Sequence, residues 1–256
     1  MPVNIQIPEL GDKFKDYRDD IPGDSYSWGP VIKANEIQYF TFHHTVTKQT
    51  AKLDGNWKAE CDKIANLHIS PPNAWGGVGY RFIICSDGTV AYVGDLSHGG
   101  SAVANKNDIM FSAAFVGDFT KELPTAAQVH SAHLLAKFFL TQAPQYPKLD
   151  SWDDIKGHRE FNPTACPGSA WKTEGDNLYT RIRDDKWQGY PDPQPTTTPA
   201  PPSDPIPPVD PCEQLKKDLA DANQKIDDLT VEKKIIQGEL NEYIAHLAAI
   251  KTVVNK

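Results

Sequence analysis

Methionine and cysteine are scarce in this 256-residue chain, with two and four copies. Cys61, Cys85, Cys166 and Cys212 lie far apart with no paired spacing, which excludes a disulfide framework and leaves each thiol to be explained singly. No run approaches the ~18 consecutive apolar residues of a membrane span. The opening stretch, MPVNIQIPELGDKFKDYRDD, lacks a basic region followed by an apolar one, so no signal peptide is expected. A basic excess is missing too: 26 Lys and Arg stand against 34 Asp and Glu, a formal charge of −8, which argues against a nucleic-acid partner.

What is present falls into three segments. Residues 1–189 mix aromatics, glycines and alternating patterns, as a globular domain does. Residues 190–211 form a proline-rich linker, with ten prolines among the 21 residues from Pro191 to Pro211. Such a stretch has few amide donors and no apolar period, so it is expected to be extended and solvated, reaching up to ~65 Å at ~3.1 Å per residue. Residues 212–256 are heptadic. Leu215, Ala222, Leu229, Ile236, Tyr243 and Ile250 recur every seventh residue, and Leu219, Ile226, Lys233, Leu240, Leu247 and Val254 follow four residues after each. These are the d and a positions of a coiled coil, so a homo-oligomer is expected, with Lys233 setting register or oligomer number. Docking of a single amphipathic helix onto the globular domain is the alternative.

Within the first segment, Glu36 to Thr45 reads as a buried strand with Ile37, Tyr39, Thr41 and His43 on one face and Phe40 and Phe42 on the other. Trp57 to His68 reads as a helix. Two β-rich runs flank Asp87-Gly88, a pair that favours a type I′ hairpin. Ser112 to Gly117 reads as a second buried strand. Thr125-Ala126-Ala127-Gln128 is a capping box opening a helix to about Gln142. Pro163 and Pro167 forbid a helix around His158 and Cys166, which therefore lie on an irregular loop. The expected fold is α+β, a mixed central β-sheet flanked by helices, followed by the linker and the coiled-coil helix.

Eight histidines are present, and most have a structural explanation. His130 and His133 sit among Ala and Leu on the capped helix, and His246 lies in the heptads. His43 ends an apolar strand, where a side chain can project into a cleft. His158 begins a loop that returns Cys166 eight residues later. Two imidazoles and one thiolate suit Zn²⁺, and three protein ligands leave a fourth position open to water.

Four segments, in this order, resemble the amidase-2 family of phage amidase lysozymes and peptidoglycan recognition proteins: FTFHHT; IANLHISPPNAWGGVGYRFIICSDGTVAYVG; NDIMFSAAFVGDF; and GHREFNPTACPG. The likeness runs from about Ile37 to about Ile182. It implies zinc-dependent hydrolysis of the amide joining N-acetylmuramic acid to L-alanine in bacterial peptidoglycan. By matching position, it implies His43, His158 and Cys166 as metal ligands, His43 being preferred to His44. It implies Tyr80 as the residue assisting proton transfer and Thr164 as support for the oxyanion. His98 and His44 would face the substrate. Some amidases of this fold carry a glutamate base on the central strand; Ser112-Ala113-Ala114-Phe115-Val116 has none, which places the burden on Tyr80 and the metal. Glu160 is the alternative carboxylate. The implied setting is a phage lysin made in the host cytoplasm and acting at the cell wall after release. The rival readings are a peptidoglycan-binding protein without catalysis and a virion structural component.

Overall fold

Period-2 patterning builds the centre of the molecule. In the computed structural model, which describes residues 2–47, 57–142 and 144–188, strand β2 covers Tyr39–His44, and Phe40 to His44 are all buried. Burial on both faces follows from its place between two parallel neighbours, β5 (Met110–Phe115) and β6 (Ile155–Gly157). With β1 (Phe14–Asp16), β3 (Phe82–Ile84) and β4 (Val90–Tyr92) they form a six-stranded sheet in the order β1-β4-β3-β5-β2-β6. Only β3 and β4 pair antiparallel, so the sheet is mixed, as expected. The expected linker, heptad helix and oligomer concern residues that lie outside the described ones. Among the described residues, no helix is long and apolar enough to cross a membrane.

Alternate residues feed two apolar layers. Phe40, Phe42, Phe82, Ile84, Val90, Tyr92, Phe111 and Phe115 point into the larger, closed by Phe139 of helix α2 (Ala126–Leu140), by Trp171, and by Leu178 and Ile182 of helix α3 (Leu178–Arg183). Ile83, Cys85, Ala91 and Val93 point the other way, against Cys61, Ile64 and Ala65 of helix α1 (Trp57–Ile69). This second layer brings two widely spaced thiols together: Cys61 Sγ and Cys85 Sγ are 3.8 Å apart and both are reduced. Across β2 and β5 the same face carries His43 beside Ala114 and Thr41 beside Ser112.

The capping box forms as expected. Thr125 Oγ1 accepts from the Gln128 amide and Gln128 Oε1 accepts from the Thr125 amide, both at 3.0 Å. Gln128 Nε2 also donates to the carbonyls of Ile84 and Val116, fastening α2 to the ends of β3 and β5. His130 bonds Asp185 and His133 bonds the Ile182 carbonyl, so both are structural.

The hairpin differs from expectation in its turn. Gly88 has φ +84° but Asp87 is not among the residues with positive φ, whereas type I′ needs both. Gly88 N donates to Cys85 O, and Cys85 N to Thr89 O, giving a three-residue loop with glycine in the left-handed position. Asp87 is held instead by the Thr89 amide and hydroxyl and by Lys13. That side-chain bonding favours αR at Asp87 over the left-handed conformation.

Candidate metal centre and cleft

Register sets the site. Phe42 lies opposite Gly157, so the next residues along, His43 and His158, meet above the strand ends with ring centroids 4.7 Å apart. The loop after His158 folds back on itself: the Arg159 amide donates to the Cys166 carbonyl at 2.9 Å, and the Cys166 amide to Thr164 Oγ1 at 3.2 Å. That return places Cys166 Sγ 3.5 Å from His43 Nδ1, and the His44 amide donates to the sulfur at 3.4 Å. One ligand atom from each of His43, His158 and Cys166 lies within 4.8 Å of the others.

Burial sets the protonation of the three groups. Burial, with His158 and His44 nearby, holds the His43 imidazole well below the usual histidine range, and burial lowers His158 as well. Both rings are therefore neutral at pH 7, with lone pairs free to coordinate. Burial pushes the Cys166 thiol up to about 12, opposed by the His44 amide and the Arg159 charge. A bound dication would strip that proton outright.

The spacing of these donors suits a zinc ion. Donors bound tetrahedrally at ~2.3 Å (S) and ~2.1 Å (N) stand about 3.6 Å apart, close to the 3.5 Å between Cys166 Sγ and His43 Nδ1. The residues fit the ion, and two imidazoles with one thiolate favour zinc over harder cations.

The cluster forms the floor of a cleft of about 400 Å³ lined also by His44, Val46, Trp75, Tyr80, Asp118, Thr120 and Thr164. The Tyr80 ring lies 5.2 Å from that of His43, and burial, with Cys166 close by, raises its phenol so that it stays protonated at neutral pH. Thr164 is exposed at the rim. Phe119 N donates to His44 Nδ1 at 3.0 Å, which fixes the ring and leaves the proton on Nε2. His98 is not among the lining residues. It sits on the neighbouring loop, bridged to Val31, with its carbonyl accepting from Arg81 Nη1.

Glu160, the alternative carboxylate, is committed elsewhere. Its Oε1 accepts from the Gly157 amide at 2.8 Å and Trp171 Nε1 at 3.0 Å, and its Oε2 pairs with Lys172 at 2.8 Å. It braces the ligand loop and does not line the cleft. Two residues that sequence reasoning passed over belong near the chemistry. Trp75 lines the cleft. His68, read only as the end of a helix, has its ring 5.3 Å from Tyr80 and accepts the Gly79 amide at Nδ1. Burial lowers it to about 4, so it too is neutral.

Residues 33–169, more than half of the chain and every residue of the cluster, match the Amidase_2 family, described as N-acetylmuramoyl-L-alanine amidase. The chain belongs to this family. Its relatives include peptidoglycan-recognition protein SC2 of Drosophila melanogaster, 28% identical over 156 residues that cover 59% of this chain and 74% of the relative. Human N-acetylmuramoyl-L-alanine amidase is 28% identical over 150 residues, covering 57% of this chain and 25% of that protein. Among solved structures, Drosophila PGRP-LB aligns with a TM-score of 0.51 at 21% identity, over 66% of this chain and 91% of that one, a likeness of fold. In this member of the family the central-strand position beside His43 is Ala114, so no carboxylate stands there.

Proposed function

We propose that this chain is a zinc-dependent hydrolase of the amide between N-acetylmuramic acid and L-alanine in peptidoglycan. The observation that carries the reading is the convergence of His43, His158 and Cys166 at the floor of an open cleft shared with Tyr80 and Thr164. Family membership supports the substrate class, and the resemblance to phage amidases supports a lytic role.

His43, His158 and Cys166 would hold the zinc ion, which would supply Lewis-acid polarisation of the amide carbonyl and a water acidified to a pKa of roughly 7. The chain's own residues do the rest. Tyr80, protonated and beside the cluster, donates a hydrogen bond into the cleft and is the proton source for the departing alanine nitrogen. Thr164 offers a hydroxyl at the rim where negative charge develops on oxygen. His44, pinned through Nδ1, presents a fixed N–H rather than a general base.

Digestion of purified cell walls tests the reading. Release of peptides with new N-terminal alanine, abolished by a chelator and restored by zinc, is the expected result. Binding of walls with no release would make the protein a recognition module instead. In the same assay Tyr80→Phe is expected to lower kcat by about 10²-fold or more, the scale of a lost proton donor, while metal analysis still finds one zinc per chain. Unchanged kcat would remove Tyr80 from the chemistry.

A further inference from the structure

Three residues beyond the metal-cluster histidine, the cleft carries a residue in an unfavourable conformation. Val46 has φ +56°, a left-handed backbone that β-branched side chains avoid. Its neighbours enforce it. The Thr45 amide donates to Phe115 O, and Thr45 Oγ1 accepts from the Gly117 amide at 3.1 Å and bonds Thr47 Oγ1 at 2.7 Å. The strain is not offset by burial, because Val46 is 62% exposed, exceeded only by Val31 among the large apolar side chains of the described residues. Strain held by over-determined neighbours at a cleft wall is the pattern of a functional position.

We propose that Val46 is a specificity-determining residue whose isopropyl group packs against the methyl of the first stem-peptide residue, so that alanine is selected over glycine. This rests on the amidase reading above. Among the described residues that line the cleft, Val46 is the one branched aliphatic, the others being His, Thr, Ser, Asp, Tyr, Trp, Cys and Ala. With the scissile amide over His43, His158 and Cys166, the apolar groups flanking it are two methyls, the lactyl one before the carbonyl and the alanyl one after the nitrogen. Replacing alanine by glycine removes only the second, so only a contact with that methyl can distinguish the two residues. A methyl in an enclosing pocket discriminates about 10- to 200-fold; a wall touching one side of it should give the low end, about tenfold.

The test compares kcat/KM for two soluble muropeptides, muramoyl-L-Ala-D-isoglutamine and muramoyl-Gly-D-isoglutamine, with the zinc-loaded full chain. The expected Ala/Gly ratio is about tenfold for the unsubstituted protein. In Val46→Gly it should fall below about twofold, with Tm held or raised, because glycine adopts φ +56° without strain. Val46→Thr, which keeps the shape and the strain but exchanges a methyl for a hydroxyl, should fall between. A Val46→Gly variant that keeps the tenfold ratio, or that slows both substrates equally as a lactyl contact would, overturns the proposal. Failure to release N-terminal alanine from purified cell walls overturns the amidase reading itself, and is seen before any variant is made.

Discussion

Cys166→Ser is expected to cost the protein its zinc and, with it, all measurable amidase activity. The substitution is close to isosteric, and Cys166 is buried, so the fold should persist: the hydroxyl can still accept the His44 amide that now donates to sulfur at 3.4 Å. What changes is the donor. A thiolate is a soft, anionic ligand; a serine hydroxyl is a neutral one that no zinc ion ionises as readily, and its shorter reach pulls the donor atom back from His43 Nδ1, now 3.5 Å from sulfur. Losing a mere outer partner of a metal ligand lowers affinity about 10–100-fold. Losing one of three direct donors should exceed that, leaving two neutral imidazoles to hold a dication. The measurement is zinc per chain after dialysis, read beside circular dichroism and cell-wall digestion. An intact fold with less than about a tenth of stoichiometric zinc is the expected result. A serine variant that keeps one zinc per chain would show that the ion binds elsewhere.

The parts of this site legible in the sequence are those set by local chemistry. The alternation Phe40, Phe42 against Thr41, His43 needs only the period of a strand, and it put His43 on the face opposite the aromatic core. The proline pair at Pro163 and Pro167 announced an irregular loop at Cys166, and the Thr125–Gln128 box announced its helix. Short elements escaped, because three residues carry no readable period: β6 at Ile155–Gly157 and β1 at Phe14–Asp16 are examples. Distance along the chain hid others. Arg18 and Asp95 form a buried ion pair across 77 residues, and Cys61 meets Cys85 only because α1 lies over the hairpin. His68 meets Trp75 and Tyr80 in the same way; a helix assignment places His68 near its end but does not say which rings it will meet. The turn at Asp87-Gly88 shows a local rule overridden locally, since the Asp87 carboxylate found donors in Thr89 and Lys13.

Trp171→Ala should be the most damaging substitution outside the cluster, and its damage should reach the metal. Trp171 is 1% exposed, packed tilted against Phe42 of β2 and edge-on to Tyr179 of α3 at centroid distances of 6.1 and 5.7 Å. Truncating a buried aromatic to alanine costs about 3–5 kcal/mol, a large share of the 5–15 kcal/mol that typically holds a domain together. At about 2–4 °C per kcal/mol for a domain of this size, Tm should fall by roughly 6–20 °C. The indole does more than fill space. Its N–H and the Gly157 amide converge on Glu160 Oε1, at 3.0 and 2.8 Å, and a Cβ on Gly157 would come within 2.5 Å of Nε1. The ring therefore sets where β6 ends and where His158 begins. Without it Glu160 keeps Lys172 and the Gly157 amide but loses its fixed position, and zinc affinity should drop with stability. Trp171→Phe separates the two effects: it keeps most of the volume and loses one hydrogen bond to a charged acceptor, worth about 1.5–3 kcal/mol. Melting with and without zinc reads both, since an ion that binds only the folded chain raises Tm by an amount that grows with the logarithm of its affinity. A Trp171→Ala protein that melts within about 3 °C of the unsubstituted chain, with its zinc-induced rise intact, would show that the indole supports neither the core nor the ligand loop.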